Sequence, residues 1–557
     1  GRRRAATAEG LRIRQVLVYS EDIVGQGDPY PRLLNAVHVT TRESVVRREL
    51  LFAEGEPYRG ELAEETERNL RRLPIIAVAR VVAVEAEAPG AVDVLVATKD
   101  LWSIRLNSSF NLVGPLLQYL RLRPTEQNLL GLDKQISGDL ELKLDTLGLG
   151  AEYVDPRLLG SRVFLQQRAA VVLGRESHRL EGGAAALRLG QPFFSLETER
   201  AFEIGAGWRA RRVRVFQGAS VHQLVGIDGT RAPDVYDERE FSVSGWDMRA
   251  WPGPFRVELG GGAGAYSFAF EPPAGLSSTQ EQVLREQALP HSEDAGWIGV
   301  QLRAFSTRYR VLRDVDTFAL AEDYQVGPLV RAELRLAASR PGFAEGWMSA
   351  RHRLLARDAV LTASVAGSLR WQPGAPDGDL LNRRLAAELS IASPPVFLGR
   401  FAARGSFELR SADLDPTALF LGGGNGLRGL APEALSGSRV LLCNLEYRTR
   451  PVEIFTLHLG AVLFWDAGSA WGQTRAPGSG AAAPGATNAS AAPFALVHTV
   501  GLGLRALFPQ FDVEPVRIDF GFVLNAPSPP PAERVSASFG QITRYRPSLF
   551  DTPFEGR

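Results

Sequence analysis

The chain has 557 residues, 45% apolar and 23% charged, with 63 basic side chains against 63 acidic ones and one cysteine. A formal net charge of zero supplies no global basic field, which argues against nucleic acid as a partner. No stretch reaches the roughly 18 to 20 consecutive apolar residues of a spanning helix, so a helical membrane protein is excluded while a β-barrel, whose strands need only alternation, is not.

Lysine occurs only at Lys99, Lys134 and Lys143, a compositional bias that implies no function. Cys443 alone can form neither an intrachain disulfide nor a multi-cysteine metal cluster, and reads as a small apolar strand residue. Residues 2–4 are arginines with no apolar core of secretory length behind them.

Taken in chain order, residues 1–30 carry no clear period and are expected to be an N-terminal arm or a degenerate preceding element. Residues 31–100 read as a small α+β domain. A short apolar strand is expected over 33–39. Thr41 can then cap a helix running to Leu50 or Leu51, although Ser44 stands where a full capping box would place Glu or Gln. Gly55, Pro57 and Tyr58 break the chain. A second helix over 60–72 gathers Leu62, Thr66, Asn69 and Leu70 on one side, with Leu73 just beyond. Strands rich in Val, Ala and Ile follow over 75–84 and 92–98, joined through Ala88-Pro89-Gly90.

From Trp102 the helical period gives way to alternation. Trp102, Ile104, Leu106, Phe110 and Leu112 point one way; Ser103, Arg105, Asn107, Ser109 and Asn111 point the other. Near the C-terminus Leu441, Cys443, Leu445 and Tyr447 alternate with Leu442, Asn444, Glu446 and Arg448. Leu457, Leu459, Ala461, Leu463 and Trp465 alternate with His458, Gly460, Val462, Phe464 and Asp466. Val500, Leu502 and Leu504 alternate with Gly501, Gly503 and Arg505. Val516, Ile518, Phe520 and Phe522 alternate with Arg517, Asp519 and Gly521. A soluble sandwich and a membrane barrel share this pattern within one strand. So many long strands in one run favour the barrel, whose spans are longer than the usual five or six residues. Segment 271–295 should hold a short helix around 279–288, segment 472–493 should be a flexible connection, and the tail 546–557, with Pro547 and Pro553, should not pair.

These residues resemble the BamA/TamA superfamily of outer-membrane assembly barrels. Residues 41–101 resemble a POTRA domain, above all Val46-Arg47-Arg48-Glu49-Leu50-Leu51-Phe52, Gly55-Glu56-Pro57-Tyr58 and the run from Glu65 to Arg71. Asn128-Leu129-Leu130-Gly131 and Tyr153-Val154-Asp155-Pro156 resemble opening barrel strands. The most specific match is Leu421-Gly422-Gly423-Gly424-Asn425-Gly426-Leu427-Arg428-Gly429-Leu430, followed by Asn444-Leu445-Glu446-Tyr447-Arg448 and Phe464-Trp465-Asp466-Ala467-Gly468. The resemblance implies a mainly β fold: a transmembrane antiparallel barrel of about sixteen strands over 101–545, preceded by one POTRA-like domain. It implies that Arg428 reaches back through the lumen to Asp466, which lies on the polar register of its strand. A guanidinium fork and a carboxylate suit one another, and the flanking glycines permit a tight turn. Leu430 stands where an aromatic is usual.

The implied function is assembly, insertion or translocation of proteins at the bacterial outer membrane, with the N-terminal domain in the periplasm. Implied partners are outer-membrane lipids, unfolded barrel or secreted clients, and periplasmic lipoproteins or chaperones. A lateral seam is expected between the first and last strands, involving Trp102, Ile104, Leu106, Phe539, Gly540 and Tyr545. The alternative is a substrate-conducting pore or two-partner exporter with the loop as plug.

Gly424, Gly426 and Gly429 also fit a dinucleotide-binding spacing, but no strand–helix context surrounds them. His178, His222 and His291 show no metal-ligand spacing. No nucleophile elbow is present, and Asn488-Ala489-Ser490 matches a glycosylation acceptor by chance. No enzyme activity, cofactor or metal is expected.

Overall fold

A computed structural model describes residues 8–23, 39–113, 116–217, 220–317, 322–375, 378–415, 418–431, 434–455, 457–472, 493–507, 515–526 and 535–539. The expected strand at 33–39 and connection at 472–493 fall almost entirely outside these residues, as do Asn488, Gly540, Tyr545 and the tail.

The first hundred residues form a sheet covered by two helices: β1 (Arg12–Glu21), α1 (Glu43–Arg48), α2 (Gly60–Arg72), β2 (Ile76–Glu85) and β3 (Ala91–Asp100). β3 is central, antiparallel to β2 and parallel to β1. Val92, Val94 and Val96 are fully buried and cluster with Val45, Val46, Leu62 and Leu70 of the helices.

Residues 12–21, expected to be part of an arm, are therefore the edge strand of this sheet. Arg12, Arg14 and Gln15 hide its apolar register in the sequence. Arg14 fits because the buried Asp93 of β3 accepts its Nε and Nη2 at 2.8 and 2.6 Å. The first helix is also shorter than expected and Thr41 does not cap it; Arg42 holds that position without a side-chain bond. Thr41 instead gives its N–H to Asp100 and accepts from Asn128 Nδ2 at 3.0 Å, so its hydroxyl serves the contact with the barrel.

From Ile104–Val113 to Val535–Phe539 the strands are antiparallel and consecutive, and the order of hydrogen-bonded neighbours returns to the first strand as a closed barrel. Among the described residues the ring holds twenty strands, taking Val452–Ile454 as the continuation of Arg439–Thr449 along their shared partner Leu457–Trp471. This corrects the expected sixteen, a number that came with the resemblance. Alternation in the sequence itself gives slightly more candidate strands than sixteen. The helix expected near 279–288 is Ser278–Gln287, opened by a reciprocal Ser277–Gln280 capping box.

The two faces of the wall differ in kind. Leu106, Ile298, Leu389, Leu463, Leu502 and Leu504 each expose more than half of their surface, while Arg256, Glu258, Arg404, Asp466 and Arg505 are almost fully buried on the other side. Water would penalise the first face and favour burying nothing on the second; a lipid solvent outside reverses the first cost.

Successive barrel turns receive the N-terminal domain. Arg42 donates to the carbonyls of Gly131 and Leu130. Glu49 accepts two bonds from Arg157, Glu65 accepts the N–H of Leu196, and Asn69 donates to Phe194 O. Arg71 of α2 makes a bidentate pair with Asp323, at 3.0 and 2.7 Å. Asp133 sits in the first of these turns. Burial, reinforced by the charge of Glu49, pushes its carboxyl up to about 7. A carboxyl raised in the folded state binds more protons there than when unfolded, so its contribution is full at low pH and declines as pH rises through about 7. Stability of the docked domain, followed by limited proteolysis from pH 5 to 8, should therefore fall across neutrality. In Asp133→Asn that fall should be largely absent.

Candidate functional site

The loop between strands Gly399–Ser411 and Arg439–Thr449 turns inward through a short hairpin, Leu419–Leu421 with Leu435–Gly437, and a 3-10 turn over Gly423–Asn425. Asn425 fastens that turn: its amide accepts the Gly422 N–H and donates to Phe420 O at 2.6 Å. Gly426 and Gly429 lie at φ +110° and +90°, backbone that side chains with a Cβ rarely adopt. Between them Leu427 and Arg428 are driven into the interior, both fully buried.

Leu427 joins Leu421, Leu430, Val440, Leu442, Ala470 and Val497 in an apolar cluster. Arg428 meets charge instead. Its Nε and Nη2 donate to the two oxygens of Asp466 at 2.8 and 2.7 Å, and its own N–H reaches Asp466 at 3.2 Å. Nη1 donates to Glu446, with Asp519 at 3.5 Å, and the guanidinium carbon lies 3.6 Å from the centroid of the Phe464 ring. Asn444 ties loop to wall by donating to both Gly426 O and Asp466, each at 2.7 Å.

The acidic groups come from separate strands: Glu446 from Arg439–Thr449, Asp466 from Leu457–Trp471 and Asp519 from Val516–Val523. Glu446 and Asp519 are balanced from the far side. Arg448 Nε binds Glu446 at 2.7 Å, and Arg505 Nη1 binds Asp519 at 2.6 Å. Register explains how bulky groups fit. Glu446, Phe464, Gly501 and Gly521 are direct neighbours across the wall, and Arg448, Val462, Gly503 and Asp519 form an adjoining row. A side chain at Gly501 would collide with the Phe464 ring, and one at Gly503 with the Asp519 carboxylate. A methyl on Gly521 would stand 2.7 Å from Gly429 Cα. The glycines thus cut the trough in which ring, carboxylate and loop backbone lie.

The match to known families covers this region: residues 375–542 match the Omp85 superfamily domain. No curated protein matches the chain. Among solved structures, BamA from Haemophilus ducreyi lacking POTRA domains 1-3 is 13% identical, with 94% of this chain and 83% of that one covered and a TM-score of 0.38. CdiB from Escherichia coli is 11% identical, covering 95% and 76% at a TM-score of 0.45, and CdiB from Acinetobacter baumannii 11%, covering 95% and 73% at 0.37.

Within the matched residues the structure brings Arg428, Phe464 and Asp466 together, and Gly468 faces Leu421 and Leu427 of the loop. Trp465, grouped with them by sequence, points the other way, 37% exposed and stacked on His498. Leu430, in the position expected of an aromatic, is buried in the apolar cluster. Of the seam residues, Ile104 and Leu106 are exposed on the first strand, Trp102 precedes it, and Phe539 ends the last described strand, which the ring order places beside the first. The glycine run leads into strands rather than a helix, which removes the context a dinucleotide site needs.

Sequence reasoning placed Glu446, Arg448, Arg505, Arg517 and Asp519 on the inward register but gave them no part in holding the loop. Their charge on that register was the available signal. A second inward excursion, the hairpin Tyr309–Leu312 with Glu322–Gln325, was not foreseen. The Glu322 carboxylate accepts the N–H groups of Val315, Asp316 and Thr317, and Arg448 Nη1 donates to Val315 O at 2.9 Å.

Removing one partner of a buried ion pair leaves the other uncompensated, at a typical cost of about 3–5 kcal/mol. Arg428→Ala should lower unfolding free energy in detergent by about that amount, and Arg428→Lys by less, since it keeps the charge and loses the fork. Gly521→Ala, which adds no charge change, should cost about 1–3 kcal/mol through overpacking against Gly429. Denaturant titration followed by tryptophan fluorescence measures all three.

Proposed function

We propose that the protein is an outer-membrane barrel that assembles, inserts or translocates other proteins, rather than an enzyme. The single observation that carries this reading is the Arg428 loop, clamped to several strands inside the barrel within the Omp85 region. A clamp of this kind holds the wall nearest the ring's end in one conformation, so that opening can be confined to the seam between the first and last strands. A barrel has strand edges nowhere else. An edge exposed at that seam would pair with an incoming strand by β-augmentation.

In this reading the apolar outer wall meets lipid, and the N-terminal domain serves as a POTRA-like unit in the periplasm. Outer-membrane lipids, unfolded barrel or secreted proteins, and periplasmic lipoproteins or chaperones are the partners this role calls for. Both inward excursions occupy lumen space, which weighs against a permanently conducting pore.

Planar-bilayer conductance combined with depletion distinguishes the readings. The intact protein should show little steady conductance and Arg428→Ala more, and depletion should lower the level of other outer-membrane barrels or of a secreted client. A large steady conductance insensitive to Arg428→Ala, with client levels unchanged on depletion, would support the pore and sink the proposal.

A further inference from the structure

At the end of the barrel nearest the N-terminal domain, a cavity of about 370 Å³ lies between the hairpin at 309–325 and the wall. Four arginines line it, Arg313, Arg400, Arg448 and Arg450, against Asp314 and Asp358. Arg400 and Arg448 are direct cross-strand neighbours, 6% and 4% exposed. Like charges in that position repel, and burial deprives both of water. Arg448 spends Nε on Glu446 and Nη1 on Val315 O, and its Nη2 has no partner among the described residues. Arg400 Nη1 is likewise buried without a partner among them. Two desolvated guanidiniums side by side, with donors left over and a cavity beside them, are the arrangement an oxyanion would complete.

The adjoining turns add a second, independent feature. Phe397 and Leu398 in one, and Phe455 in the next, are 84%, 64% and 74% exposed. The two turns are joined by the Arg450 N–H donating to Leu398 O at 2.7 Å. Phe397 and Phe455 both hold φ in the left-handed region, at 56° and 58°, where glycine would be less strained. Large apolar side chains are thus kept, at a conformational cost, on the rim beside a cationic cavity.

We propose that this cavity binds a phosphate group, supplied by the headgroup of an anionic phospholipid whose acyl chains lie on Phe397, Leu398 and Phe455. Several guanidiniums favour a phosphate over a singly charged carboxylate, and the apolar rim favours a lipid over the free ion. Because Arg448 also holds Glu446 and the hairpin, the lipid would brace the hairpin against the wall.

The full chain would be reconstituted in nanodiscs of phosphatidylglycerol and phosphatidylcholine and extracted into neutral detergent, and the lipid it retains measured by native mass spectrometry. Phosphatidylglycerol should be retained selectively. Retention should fall roughly tenfold or more in Arg400→Gln and Arg313→Gln, each of which removes a charged donor, and not in Arg285→Gln on the distant helix. Arg313 is exposed on the hairpin, so its variant serves where Arg400→Gln fails to fold. Saturable binding of inorganic phosphate, abolished by Arg313→Gln but without lipid retention, would overturn the lipid source and leave the phosphate site. Equal retention in every variant with no saturable phosphate binding would overturn the proposal.

Discussion

A buried guanidinium must be matched by buried carboxylate, and much of the C-terminal part of the barrel is arranged around that requirement. Arg428 enters the interior on the turn between two short loop strands that are not part of the barrel ring. What holds it is charge: the two oxygens of Asp466, the nearer oxygen of Glu446 and the more distant Asp519. Those carboxylates could not remain desolvated alone, so Arg448, Arg505 and Arg517 stand behind them. Such a network adds little net stability compared with a well-packed apolar core, but it is expensive to break and admits few alternative arrangements. Its value lies in fixing where the loop sits.

Shape supports charge. The loop can reach the wall only because Gly429 lies against Gly521, and the wall can hold Phe464 and Asp519 flat only because Gly501 and Gly503 leave room beside them. Charge and space meet at the same strand crossings, where register sets both. The network also continues away from the loop. Glu446 joins Arg428 to Arg448, Arg448 holds the Val315 carbonyl of the hairpin, and Asp323 of that hairpin holds Arg71 of α2. Loop, hairpin and N-terminal domain are therefore physically contiguous, which is a condition for coupling between them.

Alternation made much of this legible in the sequence. Leu442, Asn444, Glu446 and Arg448 fell on one register and proved to be the inward one, and Asp466 fell on the inward register of its own strand. The Arg428–Asp466 contact was expected through the resemblance, and the structure places the two side chains together. The parts that were not legible share a cause: they depend on contacts distant in sequence. Glu446 and Asp519 could be assigned to a face but not to Arg428. β1 was unreadable because its polar residues answer to Asp93, nearly eighty positions away. The hairpin at 309–325 has no periodic signature, and its fold depends on Glu322 gathering nearby backbone N–H groups. The expected strand number failed because it came with the resemblance, whereas alternation itself pointed to slightly more than sixteen strands.

Carboxylates of the wall hold the loop at 422–431 inside the barrel. Hydrogen–deuterium exchange of that segment in nanodiscs, compared between the intact protein and Asp466→Asn, tests it most directly. Exchange should be slow in the intact protein, with a marked loss of protection in the variant confined to the loop and its immediate wall. Rapid exchange of the loop in both proteins, with the barrel strands equally protected, would contradict it.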